Sequence, residues 1–284
     1  IKNIRLESKK FLKKINERNI EIDLNNLLEL DEKNRSLIQK KEKLEQEKKI
    51  ISKTKDKSQF IKSKNLSKEI ENLINDQLKI QKKIDTILHS LPNLSLDDVP
   101  VGKDETYNKV VEQYGKIKDF DFKVLTHYEI GKNLNMMDFD LASKTTGARF
   151  VFLMSKLAEL ERAISNFMLD IHTQEFGYLE ISPPLMANYP AMFGTGQLPK
   201  FEKDQFEIKL DKDDSRKFLI PTAEVILTNI VREKVINYED LPMRFVASTA
   251  CFRKEAGSYG KDTKGMIRQH QFYKVELVSV VEPK

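Results

Sequence analysis

Between Leu66 and Leu91, the positions Leu66, Ile70, Leu73, Gln77, Ile80, Ile84, Ile87 and Leu91 recur at alternating steps of four and three. That spacing predicts a helix with one narrow apolar seam, the a/d pattern of a coiled coil. Upstream, Leu30, Leu37, Leu44 and Ile51 recur every seven residues inside a charged stretch without proline or glycine, which predicts a second long helix. The polar segment 52–65, SKTKDKSQFIKSKN, interrupts both patterns and predicts the turn between them. Two such helices form an antiparallel hairpin, and a helix of about 30 residues at ~1.5 Å per residue reaches roughly 45 Å. Gln77, polar at a seam position, is read as a register-setting residue.

Pro92 and Pro100 then bracket LPNLSLDDVPVG, a stretch of turn residues that predicts a domain boundary, with a helical arm over 1–98 and a second domain over 99–284. In the second part, Leu153, Leu157, Leu160, Ile164, Phe167 and Ile171 share one face of a helix that starts near Val151 and ends before Gly177. The following run, GYLEISPPLM at 177–186, is short and extended. Its Pro183 and Pro184 are tolerable at an edge or an interface. Finally, Thr249 to Leu277 reads TACFRKEAGSYGKDTKGMIRQHQFYKVEL, two strand-like segments joined by a long polar loop that contains Gly257, Gly260 and Gly265 among Lys261, Asp262 and Lys264.

Composition narrows the class. Of 284 residues, 39% are apolar and 33% charged, a charged share above the usual quarter that suits a highly solvated part. Net charge is only +5, from 49 basic and 44 acidic residues, so any nucleic-acid surface must come from local clustering rather than from overall charge. One cluster exists: Lys40 to Lys57 carries eight lysines against four acids. It reads either as a solvated helix face or as a track for a phosphate backbone. The single cysteine, Cys251, excludes an internal disulfide and a cysteine-based metal cluster; it is either a small buried residue or a reactive thiol. His89, His127, His172 and His270 lack ligand spacing, so no protein-bound metal is predicted. No run has the length of a membrane span and the first residues lack a signal-peptide core. A cytoplasmic protein with neither membrane nor DNA as a partner is the expectation.

The candidate chemistry lies in the hairpin. Residues two apart on a strand share a face, which predicts Arg253 and Glu255 together on the first strand and Arg268, Phe272 and Glu276 together on the return strand. Two guanidinium forks suit phosphate oxygens, and an aromatic plane suits a base. The loop is no Walker A, because Gly257 and Gly260 are separated by two residues rather than four.

This stretch resembles the second signature motif of class II aminoacyl-tRNA synthetases, and its wording resembles that of seryl-tRNA synthetases. The linker followed by GKDE at Gly102 to Glu105, MFGTGQLPKF at Met192 to Phe201 and LIPTAEV at Leu219 to Val225 are similar to the same family. The helix, strand and proline order around Pro184 resembles the first class II motif, which builds a homodimer interface. The resemblance implies an α+β fold, in which a two-helix coiled-coil arm precedes a class II core of antiparallel sheet flanked by helices. It implies ATP-dependent activation of L-serine to seryl-adenylate and transfer to the 3′ end of tRNA(Ser), with tRNA(Sec) as a further acceptor. The arm would hold the tRNA, and magnesium would arrive with ATP.

Residue by residue, the resemblance places Arg253 on the α-phosphate and the serine carboxylate, and Arg268 on the β- and γ-phosphates. Phe272 is expected under adenine, with Lys254 and Glu255 beside the nucleotide. Thr222, Ala223, Glu224 and Glu276 are expected around serine. It also implies continuation beyond Lys284 through a third motif, so the 284 residues are expected to be part of a longer frame. The alternatives are a noncatalytic synthetase-like protein that binds tRNA, a coiled-coil scaffold, and a class II enzyme for threonine or proline.

Overall fold

The computed structural model describes residues 1–54, 59–210, 213–256 and 264–283. The chain forms two compact units, Ile1–Ile117 and Lys118–Lys284. Residues that follow the Pro92–Pro100 stretch, up to Ile117, therefore group with the helices.

The first unit contains α1 (Lys2–Leu6), α2 (Ser8–Asn16), α3 (Leu24–Thr54) and α4 (Phe60–Ser90). The two long helices pair as the predicted antiparallel hairpin. Asp23 caps α3, its carboxylate accepting from Asn26 N at 3.0 Å, and Pro92 follows the end of α4. Both helices run deeper into the polar 52–65 segment than the apolar pattern indicates, because lysine-rich sequence without glycine or proline sustains an exposed helix. Residues 55–58 of that segment lie outside the described residues.

On α4 every predicted seam position is buried or half-buried, with Leu66, Ile70 and Ile84 the deepest. The α3 seam takes in the predicted positions, with Ile51 buried and Leu30, Leu37 and Leu44 half-buried, but its start departs from the expectation. Its buried line begins Leu24, Leu27, Asp31 and Asn34, and Leu30 and Leu37 sit on its flank, half-buried. Two of those four are polar. Asp31 takes Arg5 at 2.5 Å and Arg35 at 3.1 Å, while Asn34 donates to Gln81 across the seam at 2.8 Å. The polar crossing thus falls at Asn34–Gln81 as well as beside half-buried Gln77. At the open end, Phe11 and Ile15 of α2 close the core over Leu24, Leu27 and Ile84. These short helices were not foreseen in the periodicity.

The second unit is built around three small sheets. After α5 (His127–Asn133) come β1 (Met137–Asp138), α6 (Phe139–Thr145) and β2 (Phe152–Leu153), and β1 pairs with β2. Next is α7 (Lys156–Gln174), then β3 (Leu179–Glu180), β4 (Met186–Asn188), α8 (Tyr189–Gly194), β5 (Glu207–Leu210), β6 (Asp213–Leu219), α9 (Glu224–Thr228), β7 (Met243–Phe252) and β8 (Gln271–Val280). The sheet orders are β4-β6-β5 and β3-β7-β8. All pairs are antiparallel except β3 with β7, which is parallel.

Helix α7 begins at Lys156 rather than near Val151, because Phe152 and Leu153 are drawn into a strand and Ser155 has a φ of 52°. The helix lies against β7 and β8, yet no residue of it is buried. Part of its predicted apolar face is left uncovered by this chain: Leu160, Ile164 and Phe167 are 52%, 44% and 63% exposed, while Leu157 and Ile171 are half-buried. Pro184 is exposed as well.

Candidate active site

The β7–β8 ladder is continuous over ten residue pairs, from Met243↔Val280 to Phe252↔Gln271. Alternation sends Phe272, Lys274, Glu276, Val278 and Val280 to one face, opposite Cys251, Thr249, Ala247, Phe245 and Met243. That face has two halves. At the Met243 end, Phe245, Ala247, Val278 and Val280 pack with Ala223 and Leu227 around α9. Toward Phe252 the same face becomes polar, and the predicted site residues gather there.

Arg253, Glu255 and Arg268 are not on the strands, contrary to the alternation argument. The ladder ends at Phe252, and the next residues bond elsewhere. Phe252 N donates to Ile220 O, Arg253 N to His270 O and Lys254 N to Asp204 O, each at 2.9 Å. The Asp204 carboxylate also accepts from Ala256 N at 2.8 Å. Glu255, held between these anchors, adopts a φ of 49°, a left-handed conformation that costs an ordinary side chain energy and persists only where neighbours enforce it. Arg149 supplies a further hold by donating to Glu255 O at 2.9 Å. Of the loop beyond, Gly257, Gly260, Lys261 and Asp262 lie outside the described residues. Its return end is fixed at Gly265 and Met266. Met266 N donates to His127 Nε2 at 2.9 Å, and Gly265, at a φ of 70°, lies so close that a Cβ there would stand 2.2 Å from the same nitrogen.

These residues line a cleft of about 400 Å³, bounded by Gln197, Phe201, Asp204, Pro221, Arg253, Glu255 and Arg268. The Arg253 Nε donates to Pro221 O at 3.2 Å, and its guanidinium lies 5.2 Å from the centre of the Phe272 ring. Arg268 pairs with Glu255 at 3.4 Å. Lys254 is exposed, its ammonium 5.6 Å from the Phe206 ring. The predicted phosphate-binding guanidiniums are thus brought to one cleft, and Phe272 stacks against one of them.

The expected serine residues divide. Thr222, immediately after the Pro221 carbonyl that anchors Arg253, donates its hydroxyl proton to Glu276. Glu224 is half-buried at the first turn of α9, and its backbone N–H donates to Thr222 Oγ1 at 3.3 Å. Ala223 contributes no polar group: its side chain is buried in the α9 cluster. Cys251 is also fully buried, and that burial pushes its thiol above the ordinary value. It is the small core residue of the two readings.

Several functional neighbours were missed. Lys274 sits between Phe272 and Glu276 on the same face, and the alternation already marked it. Asp204, Arg149 and His127 reach the hairpin from segments 50 or more residues away, and nothing local in the sequence signals them. Among the described residues, no three His, Cys, Asp or Glu side chains group closely enough to hold a metal ion, and no helix is long and apolar enough to cross a membrane.

An arginine-bearing antiparallel hairpin over a cleft, with a helix against its sheet, defines the core of a class II aminoacyl-tRNA synthetase. Residues 205–284 match the model of the tRNA synthetase class II core domain (G, H, P, S and T). A serine–tRNA ligase of Pelagibacter ubique is 62% identical over 282 residues, which is 99% of this chain and 67% of that protein. Another from Parvibaculum lavamentivorans is 48% identical over 272 residues, covering 91% of this chain and 62% of its own length. Among solved structures, seryl-tRNA synthetase from Pyrococcus horikoshii complexed with ATP superposes with a TM-score of 0.80 at 31% identity, over 97% of this chain and 68% of that one. The cytoplasmic serine–tRNA ligase of Naegleria fowleri in complex with AMP gives 0.79 at 27% identity, over 96% of this chain and 63% of that one. The chain belongs to the seryl-tRNA synthetase family. It spans about two thirds of the length of the curated relatives it matches.

Proposed function

We propose that the protein is a serine–tRNA ligase that converts L-serine and ATP to seryl-adenylate and pyrophosphate, then transfers the seryl group to the 3′ end of tRNA(Ser). The observation that carries this reading is the shared anchor at Pro221–Thr222. The carbonyl of Pro221 fixes Arg253, and the next residue is bonded to Glu276. Phosphate-handling and hydroxyl-reading groups are therefore held by one short backbone segment.

In this scheme an oxygen of the serine carboxylate attacks the α-phosphorus of ATP and pyrophosphate leaves. The carboxylate is already ionised at neutral pH, so the step needs positioning and charge neutralisation rather than a general base. Arg253 would lie against the α-phosphate, and Arg268, now on Glu255, would turn to the β- and γ-phosphates. Phe272 would carry the adenine. ATP enters as its magnesium complex, the divalent ion being part of the substrate. Glu276, held by Thr222, would read the serine hydroxyl. The exposed apolar face of α7, together with Pro184, suits a second copy of the chain, and the lysine-rich part of the helical hairpin suits the tRNA backbone. A cytoplasmic location fits this chemistry.

ATP–pyrophosphate exchange by the protein expressed from its full reading frame tests the proposal with serine, threonine, proline and alanine in parallel. Exchange is expected with serine, with alanine weaker by on the order of 10⁴-fold because a site built for a hydroxyl is left with unpaired groups. Exchange with threonine or proline instead would reassign the substrate. Absence of all exchange with tRNA binding retained would favour the noncatalytic reading.

A further inference from the structure

Lys274 is the one side chain on the polar half of that β8 face for which the scheme above has no role. It lies opposite Thr249 in the ladder, two residues from Phe272 and two from Glu276. Its ammonium forms an ion pair with Glu276 Oε2 and donates to Thr222 Oγ1 at 3.1 Å. Thr222 in turn donates to that same Oε2. The three side chains close a triangle in which Glu276 is 15% exposed and Lys274 34%.

The proton count of this triangle is informative. A hydroxyl has one proton and two acceptor lone pairs, whereas an ammonium can only donate. Lys274 Nζ and Glu224 N both donate to Thr222 Oγ1, so its single proton is directed to Glu276. Oε2 of Glu276 then receives two donors from the protein. The acceptor capacity left for a ligand lies on Oε1. The ion pair also neutralises the carboxylate, so the pocket presents an oriented acceptor without a net negative charge. Such a site favours a neutral hydroxyl donor over a second cation.

We propose that Lys274 is the positioning residue of the serine subsite, fixing which oxygen of Glu276 faces the ligand and which way the Thr222 proton points. The inference rests on the functional reading above, because it names the groups that read the serine hydroxyl. It assigns Lys274 no contact with ATP.

The test is ATP–pyrophosphate exchange by the full-length protein carrying Lys274→Met or Lys274→Arg, with thermal unfolding of each. Lys274→Met is expected to raise KM for serine by on the order of 10- to 100-fold, the scale of a lost charge-assisted hydrogen bond, with KM for ATP within about twofold. The preference for serine over alanine is expected to narrow by a similar factor, which a merely structural role would not produce. Lys274→Arg keeps the charge and is expected to recover most of the loss. If the Met variant has no cooperative unfolding transition, Lys274→Gln replaces it. Equal rises in both KM values, an unchanged KM for serine, or an Arg variant no better than Met would each overturn the proposal. Wild-type exchange with a different amino acid would instead overturn the functional reading, and the same variant ratios taken with that amino acid would still decide the role of Lys274.

Discussion

The helical hairpin and the β hairpin are both pairs of antiparallel segments, but they are held together in opposite ways. Along α3 and α4 the contacts repeat, so each seam residue does much the same work as its neighbours. At the end of β7 and β8 every contact is particular: Arg149, Pro221 and His127 each fix one residue from a distant segment, and Asp204 fixes two. A repetitive interface spreads its stability, whereas a convergent one concentrates function in a few groups. Damage is therefore expected to show as lost stability in the first and as lost catalysis in the second.

The sharpest break in that contrast comes from Arg253→Ala. Removing this guanidinium is expected to lower serine-dependent exchange by ~10³-fold, about 4 kcal/mol of transition-state stabilisation, while tRNA affinity changes little. Equal loss of both would contradict the division of labour. Next is Leu27→Ala at a fully buried seam position. It is expected to destabilise the helical unit by about 2–5 kcal/mol in denaturant titration and to leave exchange per folded molecule unchanged.

A smaller effect is expected from Asp204→Ala, which removes the acceptor for Ala256 N but keeps the carbonyl that holds Lys254. Loss of this one hydrogen bond, ~1–2 kcal/mol, is expected to appear as a roughly 5- to 30-fold fall in kcat/KM for ATP with the melting temperature nearly unchanged.

The smallest concerns Glu207, which accepts two hydrogen bonds from Arg216 at 2.8 Å and titrates below its ordinary value for that reason. A depressed folded pKa stabilises above the unfolded value and is lost as pH falls through the folded one. Thermal melts between about pH 5 and pH 3 are therefore expected to show a shallow decline that Glu207→Gln flattens. A wild-type profile identical to that of the variant would leave this pair without a role in acid stability.

The two hairpins also differ in how much of them could be read beforehand. The seam of α4 was legible because its spacing is local and its residues are apolar. The start of the α3 seam was not, since Asp31 and Asn34 occupy it and look like surface residues until Arg5, Arg35 and Gln81 are brought to them. The strand pairing of β7 and β8 was legible from alternation and wording. The departure of Arg253 and Glu255 from that ladder was not, because it depends on Asp204 and Arg149 rather than on local sequence. Helix α7 shows a third case. Its apolar face was evident, but whether that face meets its own core is a question of neighbours, and Leu160, Ile164 and Phe167 remain exposed.

The Asn34–Gln81 bond has a consequence for molecularity. A slip of α3 against α4 would take the buried Asn34 amide away from its partner, so the bond selects one alignment. It does not select which chain supplies each helix, because the same alignment forms when α3 of one molecule meets α4 of another. That choice falls to the connection between Thr54 and Phe60, whose few residues keep the second helix at a high effective concentration near the first. Lengthening the connection would leave every seam contact intact and still weaken the preference for a chain to fold on itself, opening a route to exchanged dimers at high protein concentration.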